Sequence, residues 1–165
     1  MKLVALIAAV FAAVLPLAAL AETGENAITI AFVDAHRPVA LPAQADQLLA
    51  DVNAVRAQRG LPAVTRDPFL DRFAYAKAVD MAQRGYFGHT DPSGISFQDR
   101  VRAAHIDTWA AENIAFDRTE RRAHVAFVNS PPHYANLIDP NMHRVGVAVV
   151  TVGPGETFYV EDFGG

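Results

Sequence analysis

The chain of 165 residues contains no cysteine. That absence excludes disulfide staples, thiolate metal ligands and every thiol-based nucleophile. Stability must therefore come from packing, which a chain of this length can supply as one domain. Charge is sparse as well: Asp, Glu, Lys and Arg make up 19% of the residues, and the net charge is −4. No stripe of Lys and Arg runs along the chain, so nucleic acid is not expected as a partner. There are no internal repeats, and tryptophan occurs only at Trp109. Apart from one stretch at the N-terminus, no apolar run approaches the length needed to cross a bilayer.

That stretch, Leu3 to Leu20, follows Lys2 and leads into Ala19-Leu20-Ala21. A positive start, an apolar run and a small-x-small site define a secretory signal peptide over 1–21, with cleavage expected before Glu22. Pro16 and the cleavage site distinguish it from a membrane anchor, and no cysteine follows it to carry a lipid. The expected mature chain has about 144 residues and no transmembrane segment, and it is secreted or periplasmic. Residues 22–45 read as a leader with Pro38 and Pro42 as breakers, and Ala27 to Val33 within it is strand-like. Residues 46–165 form the domain.

Helical spacing of Leu48, Leu49, Val52 and Val55 predicts a helix from Ala45 to Arg59, stopped by Gly60. A second is expected from Asp67 to Arg84, with Asp67 as N-cap, Pro68 first in the helix and Gly85 at its end. Its apolar set is Phe69, Leu70, Phe73, Ala74, Ala78 and Met81; Phe87 is also expected to be core. Asp91-Pro92-Ser93-Gly94 marks a turn, and Ser96 with Asp99 opens a short helix to Ala104. Thr119 and Arg122 frame a helix that Pro131-Pro132 breaks after Asn129, and a short turn or helix covers His133 to Ile138. Val145 to Val152 and Thr157 to Phe163, joined by Gly153-Pro154-Gly155, form an antiparallel hairpin. Those strands are apolar on both sides, so helices should cover both faces. The fold class is α+β: a three-layer α-β-α sandwich with a central antiparallel sheet.

Three polar residues stand out: His89 in GYFGHTDPSG, Glu112 in AAENIAF and His133 in NSPPHYANLID. Their segments read as loop ends beside helices and strands. Two imidazoles and a carboxylate suit zinc, or the sharing of a proton. The His-Glu-x-x-His spacing is absent, so the residues alone leave a shared site and unrelated surface histidines both open. His36, His105, His124 and His143 are assigned solvated or structural roles, with His105 favoured at a helix C-terminus by the dipole. Ser130 lies near His133 but reads as a helix-ending turn, and no nucleophile elbow is present. Asp91, Asp99, Asp139 and Asp162 form no evident close pair, which argues against two-carboxylate glycoside hydrolysis. Asp99-Arg100 and Asp117-Arg118 read as ion pairs. Tyr86, Trp109 and Tyr134 flank the trio and either line its cleft or pack.

The strings LADVNAVRAQRGLPAV, AVDMAQRGYFGHTDPSG with SFQDRV, AAENIAF, NSPPHYANLIDP, and RVGVAVV with FYVEDFG occur in this order. Together they resemble the bacterial branch of the CAP superfamily: the cysteine-rich secretory, antigen 5 and pathogenesis-related 1 proteins, or SCP-like extracellular proteins. The resemblance implies an α-β-α sandwich with a large open cleft. It places His89, Glu112 and His133 in that cleft, where some members bind a divalent metal, so zinc is the implied cofactor. Asn113, Ser130 and Tyr134 are further candidates to line it. Ala111 and Pro132 stand where the family motifs have glycine, Phe127 replaces a tryptophan, and Ser130 falls near a second glutamate of many relatives. With one acid and no nucleophile, the expected function is a non-enzymatic binding module for a divalent metal, a lipid or an envelope component. The alternatives are a metal-dependent hydrolase acting on peptide or envelope substrates, and a structural envelope protein with an inert cleft.

Overall fold

A computed structural model describes residues 37–108 and 110–165. The expected signal peptide, the strand-like Ala27 to Val33, His36 and Trp109 lie outside them. Every described residue belongs to the unit spanning 35–165.

The frame is a sheet of five strands: β1 (Val39–Ala40), β2 (Thr65–Arg66), β3 (Ala110–Asp117), β4 (Arg144–Gly153) and β5 (Glu156–Gly164). Its order is β1-β4-β5-β3, antiparallel throughout, with β2 added to β4 in a short parallel pairing. The expected β4–β5 hairpin turns at Gly155, whose φ of 78° only glycine adopts freely. The expected loop around AAENIAF is instead the edge strand β3, paired along its length with β5. Alanine and asparagine are weak strand formers, so only the pairing with β5 reveals it.

Among the described residues there are five helices: α1 (Pro42–Gln58), α2 (Pro68–Arg84), α3 (Phe97–Ala103), α4 (Glu120–Asn129) and α5 (Pro131–Leu137). Pro42 starts α1 rather than breaking the chain, because a proline in the first turn forfeits no helical hydrogen bond. Pro131 and Pro132 open α5 for the same reason. Asp67 caps α2 by accepting from the amides of Phe69 and Leu70, and Gly85 closes it in the left-handed region. Ser96 and Asp99 form the expected capping box of α3, and Thr119 caps α4.

One sheet face buries Leu48 and Val52 of α1, Phe127 of α4 and Leu137 beside Tyr159 and Phe163. The other buries Ala74, Ala78 and Met81 of α2 against Ile114, Val150 and Val160. The result is the three-layer α-β-α sandwich. Phe69 and Phe87 are exposed rather than core, and Lys77 is buried on the apolar face of α2. At Gly146 a Cβ would lie 1.9 Å from the Leu70 carbonyl carbon, so α2 packs directly on the backbone of β4. Among the described residues no helix is long and apolar enough to cross a membrane.

Candidate functional site

Successive side chains of a strand point to opposite faces. On β3 this sends Glu112 to the α2 side with Ile114, and Asn113 to the α1/α4/α5 side with Ala115. Because β3 is the sheet edge, loops from both layers meet around it. His89 arrives from the loop between α2 and α3, which Asp91 braces by accepting from the Ser93 and Ile95 amides. Arg84 ties the same loop down through Asp91 and Ser93. His133 arrives from the first turn of α5.

The trio does converge. His89 Nδ1 lies 2.8 Å from Glu112 Oε1, and the His89 and His133 ring centroids are 6.4 Å apart. Glu112 has a side chain 1% exposed, and its second oxygen is taken by Arg100. Arg100 is therefore part of the site. It does not pair with its sequence neighbour Asp99, which holds Arg102 and the Ser96 cap. Adjacent helical residues diverge, so a neighbouring pair in sequence is a poor guide to an ion pair. Asp117 likewise pairs with Arg122, and meets Arg118 only at its backbone amide.

The His133 ring packs edge-on to Phe127 at 5.4 Å. Burial, and after it the neighbouring His89, lowers its pKa below the usual imidazole value, so the ring is neutral at pH 7. Beneath Glu112, both carboxylate oxygens of Asp162 are buried without a hydrogen bond among the described residues. Burial and the adjacent Glu112 push that carboxyl well up. On the opposite face burial raises Glu161 to about 8, an Asn113 hydrogen bond partly opposing it.

A cleft of ≈ 470 Å³ opens beside this cluster. His89, Gln98, Glu112, Asn136 and Asp139 line it, with Phe97, Ala110, Ala111 and Ala135 as its apolar wall. His133, expected in the cleft with them, is not among the lining residues, and the three further candidates are not either. Asn113 is fully buried and braces the Glu161 carboxylate and the His133 carbonyl. Ser130 is the junction between α4 and α5. The Tyr134 hydroxyl accepts from Arg59, at the C-cap of α1. Asn136, one turn beyond His133 on α5, was not singled out from the sequence, and Gln98 and Asp139 carry no distinguishing local pattern.

The donor set fits a metal poorly. Two imidazoles on one tetrahedral zinc have centroids about 5 Å apart, given Zn–N bonds of about 2.0–2.1 Å. The present pair is wider, and both oxygens of Glu112 are engaged. Among the described residues no group of three or more His, Asp or Glu side chains is arranged to hold a metal ion.

An α-β-α sandwich with a His/Glu/His cluster at its sheet edge defines an SCP-like domain. The chain belongs to CAP, the cysteine-rich secretory protein family, whose model matches residues 49–163. It does so without a cysteine of its own. The uncharacterized protein YkwD of Bacillus subtilis is 32% identical over 118 residues, covering 70% of this chain and 46% of that protein. An extracellular protein containing a SCP domain from Bacillus anthracis superposes with a TM-score of 0.64 at 25% identity, over 74% of this chain and 40% of its own. An outer surface protein from Borrelia burgdorferi has the same fold, with a TM-score of 0.71 at 20% identity over 77% and 96% of the two chains. The chain thus spans less than half the length of the two Bacillus proteins.

Proposed function

We propose that this chain is an exported, non-enzymatic binding module that holds a polar component of the cell envelope in the cleft beside β3. One observation carries the reading: both oxygens of the buried Glu112 are already committed, one to His89 and one to Arg100. A carboxylate bonded at both oxygens, to an imidazole and to a guanidinium, is held in place rather than aimed at a substrate, and among the described residues no activated nucleophile stands beside it. The wall supplies recognition groups instead. Gln98, Asn136 and Asp139 offer amide donors, amide acceptors and a carboxylate, a set suited to hydroxyl- and amide-bearing ligands rather than acyl chains. Export agrees with the signal-like N-terminus, and two proteins of like fold are described as extracellular and as outer surface. In this reading 1–21 is removed and 46–165 carries the binding domain, while the end of the expected 22–45 leader is built into that domain as β1 and the start of α1.

Titrating the mature chain with soluble peptidoglycan fragments, followed by NMR, tests the proposal. Amide signals around Gln98, Asn136 and Asp139 should move, Asn136→Ala should lose the effect, and mass spectrometry should recover the fragments intact. Cleavage that vanishes in Glu112→Gln would replace the binding module with a hydrolase. Association with phospholipid vesicles alone would replace the polar ligand with a lipid.

A further inference from the structure

We infer that Arg100 is a built-in cation that occupies Glu112 in place of a divalent metal ion, and so sets the cleft against metal binding. The inference rests on the reading of this cleft as the binding site, but not on which organic ligand enters it.

A buried carboxylate needs a compensating charge. Glu112 has a side chain 1% exposed and could meet that need with a metal or with a side chain. Arg100 meets it, and its geometry leaves little freedom to withdraw. Its backbone amide bonds to the Ser96 carbonyl in the first turn of α3, a turn fixed by the Ser96–Asp99 capping box. The guanidinium lies 5.0 Å from the centre of the Phe73 ring and 5.6 Å from that of Phe97, clasped between α2 and α3. Its Nε is buried with no acceptor among the described residues, so ring contacts are what offset that cost.

Local charge points the same way. Besides Arg100, the side chains brought to this face are Lys77 from α2 and Asp162 from β5, with Asp80 and Asp91 acting on Lys77 from further out. Of these, Arg100 is the one bonded to a Glu112 oxygen. A divalent ion at Glu112 would therefore meet a fixed guanidinium on the same carboxylate and a buried lysine behind it, in a medium that screens poorly. His89 already spends Nδ1 on Glu112, which orients the ring without any ion.

Zinc chloride titration of wild type, Arg100→Met and Arg100→Lys, read by calorimetry and by the side-chain NMR signals of His89 and His133, tests this. Site-resolved signals separate the cleft from histidines elsewhere on the surface. In wild type and Arg100→Lys both signals should stay in place up to about 100 µM zinc. In Arg100→Met both should move, with affinity at least about tenfold tighter than wild type, because Glu112 is released. Movement of both signals in wild type at low micromolar zinc overturns the inference whether or not the variants fold. So does a folded Arg100→Met protein that gains no affinity. Neither result bears on the binding of envelope fragments, which is read without added metal.

Discussion

Asn113 donates its side-chain amide to the main-chain carbonyl of His133 at 3.2 Å, from the strand position next to Glu112. Two consecutive residues of β3 thus hold the two halves of the site from opposite faces of the sheet. Glu112 fixes the His89 ring on the α2 side, and Asn113 fixes the backbone of His133 on the other. Asn113 also donates to Glu161 and accepts from Asn136, which reaches the cleft itself. The sheet edge works as a two-sided clamp, and the pleat of one strand supplies it.

Asn113→Ala should unfasten one side only. The change leaves the buried Glu161 carboxylate and the His133 carbonyl without their donor, at a cost of about 1–3 kcal/mol for the groups left unpaired. Urea unfolding should show that loss. In the same protein the His133 side-chain signal should shift and broaden while that of His89, held by Glu112, stays. Equal disturbance of both rings would contradict the two-sided arrangement.

Stability should fall as pH rises through neutrality. Burial raises the Glu161 carboxyl from 4.5 to about 8, Asn113 partly opposing it, and burial with the nearby Asp51 raises Glu120 to about 7. Between the unfolded and folded values the native state binds more protons than the unfolded chain. The stability these groups contribute is complete below the unfolded pKa and is lost as pH climbs through the folded one. On the acid side the sign reverses: Arg84 holds Asp91 below the usual carboxyl range, and Ser96 does the same for Asp99, so their contribution is lost as pH falls. Glu161→Gln keeps an acceptor for Asn113 and removes the ionisation. It should match wild type at pH 5 and exceed it at pH 8 by on the order of a few kcal/mol, measured as urea midpoints. Parallel pH profiles for the two proteins would refute the assignment.

Much of this architecture was legible in the sequence wherever a local rule was sufficient. Asp67 and Gly85 bound α2 as their types require, and alternating apolar residues on both sides of Val145 to Val152 implied cover on both faces. The trio's convergence came from resemblance, because its spacing carries no geometric information. What escaped depends on partners distant in the chain. β3 is a strand only because β5 pairs with it, and Arg100 belongs to the site only because α3 delivers it to Glu112. Asn113 was expected to face the cleft, and the pleat turns it the other way.

Arg56 is a residue whose role only partners distant in the chain reveal. On α1 it follows Val55 and resembles a solvated surface arginine, yet it is 1% exposed. Its Nε donates to the Pro62 carbonyl at 2.8 Å, and its terminal nitrogens donate to the carbonyls of Leu137, Asp139 and Met142 at 3.0 Å. One guanidinium therefore closes the segment after α5, the segment that carries Asp139 into the cleft. Burial lowers its pKa, but an arginine so held stays charged. Arg56→Met leaves those carbonyls unsatisfied and should destabilise the fold by about 3–5 kcal/mol, with Arg56→Lys recovering part of the loss. Hydrogen exchange should then quicken across residues 137–142 before it quickens in β4 or β5, and affinity for envelope fragments should fall with it. An Arg56→Met protein within about 1 kcal/mol of wild type, with that segment still protected, would show that packing alone holds the loop and that the guanidinium is dispensable.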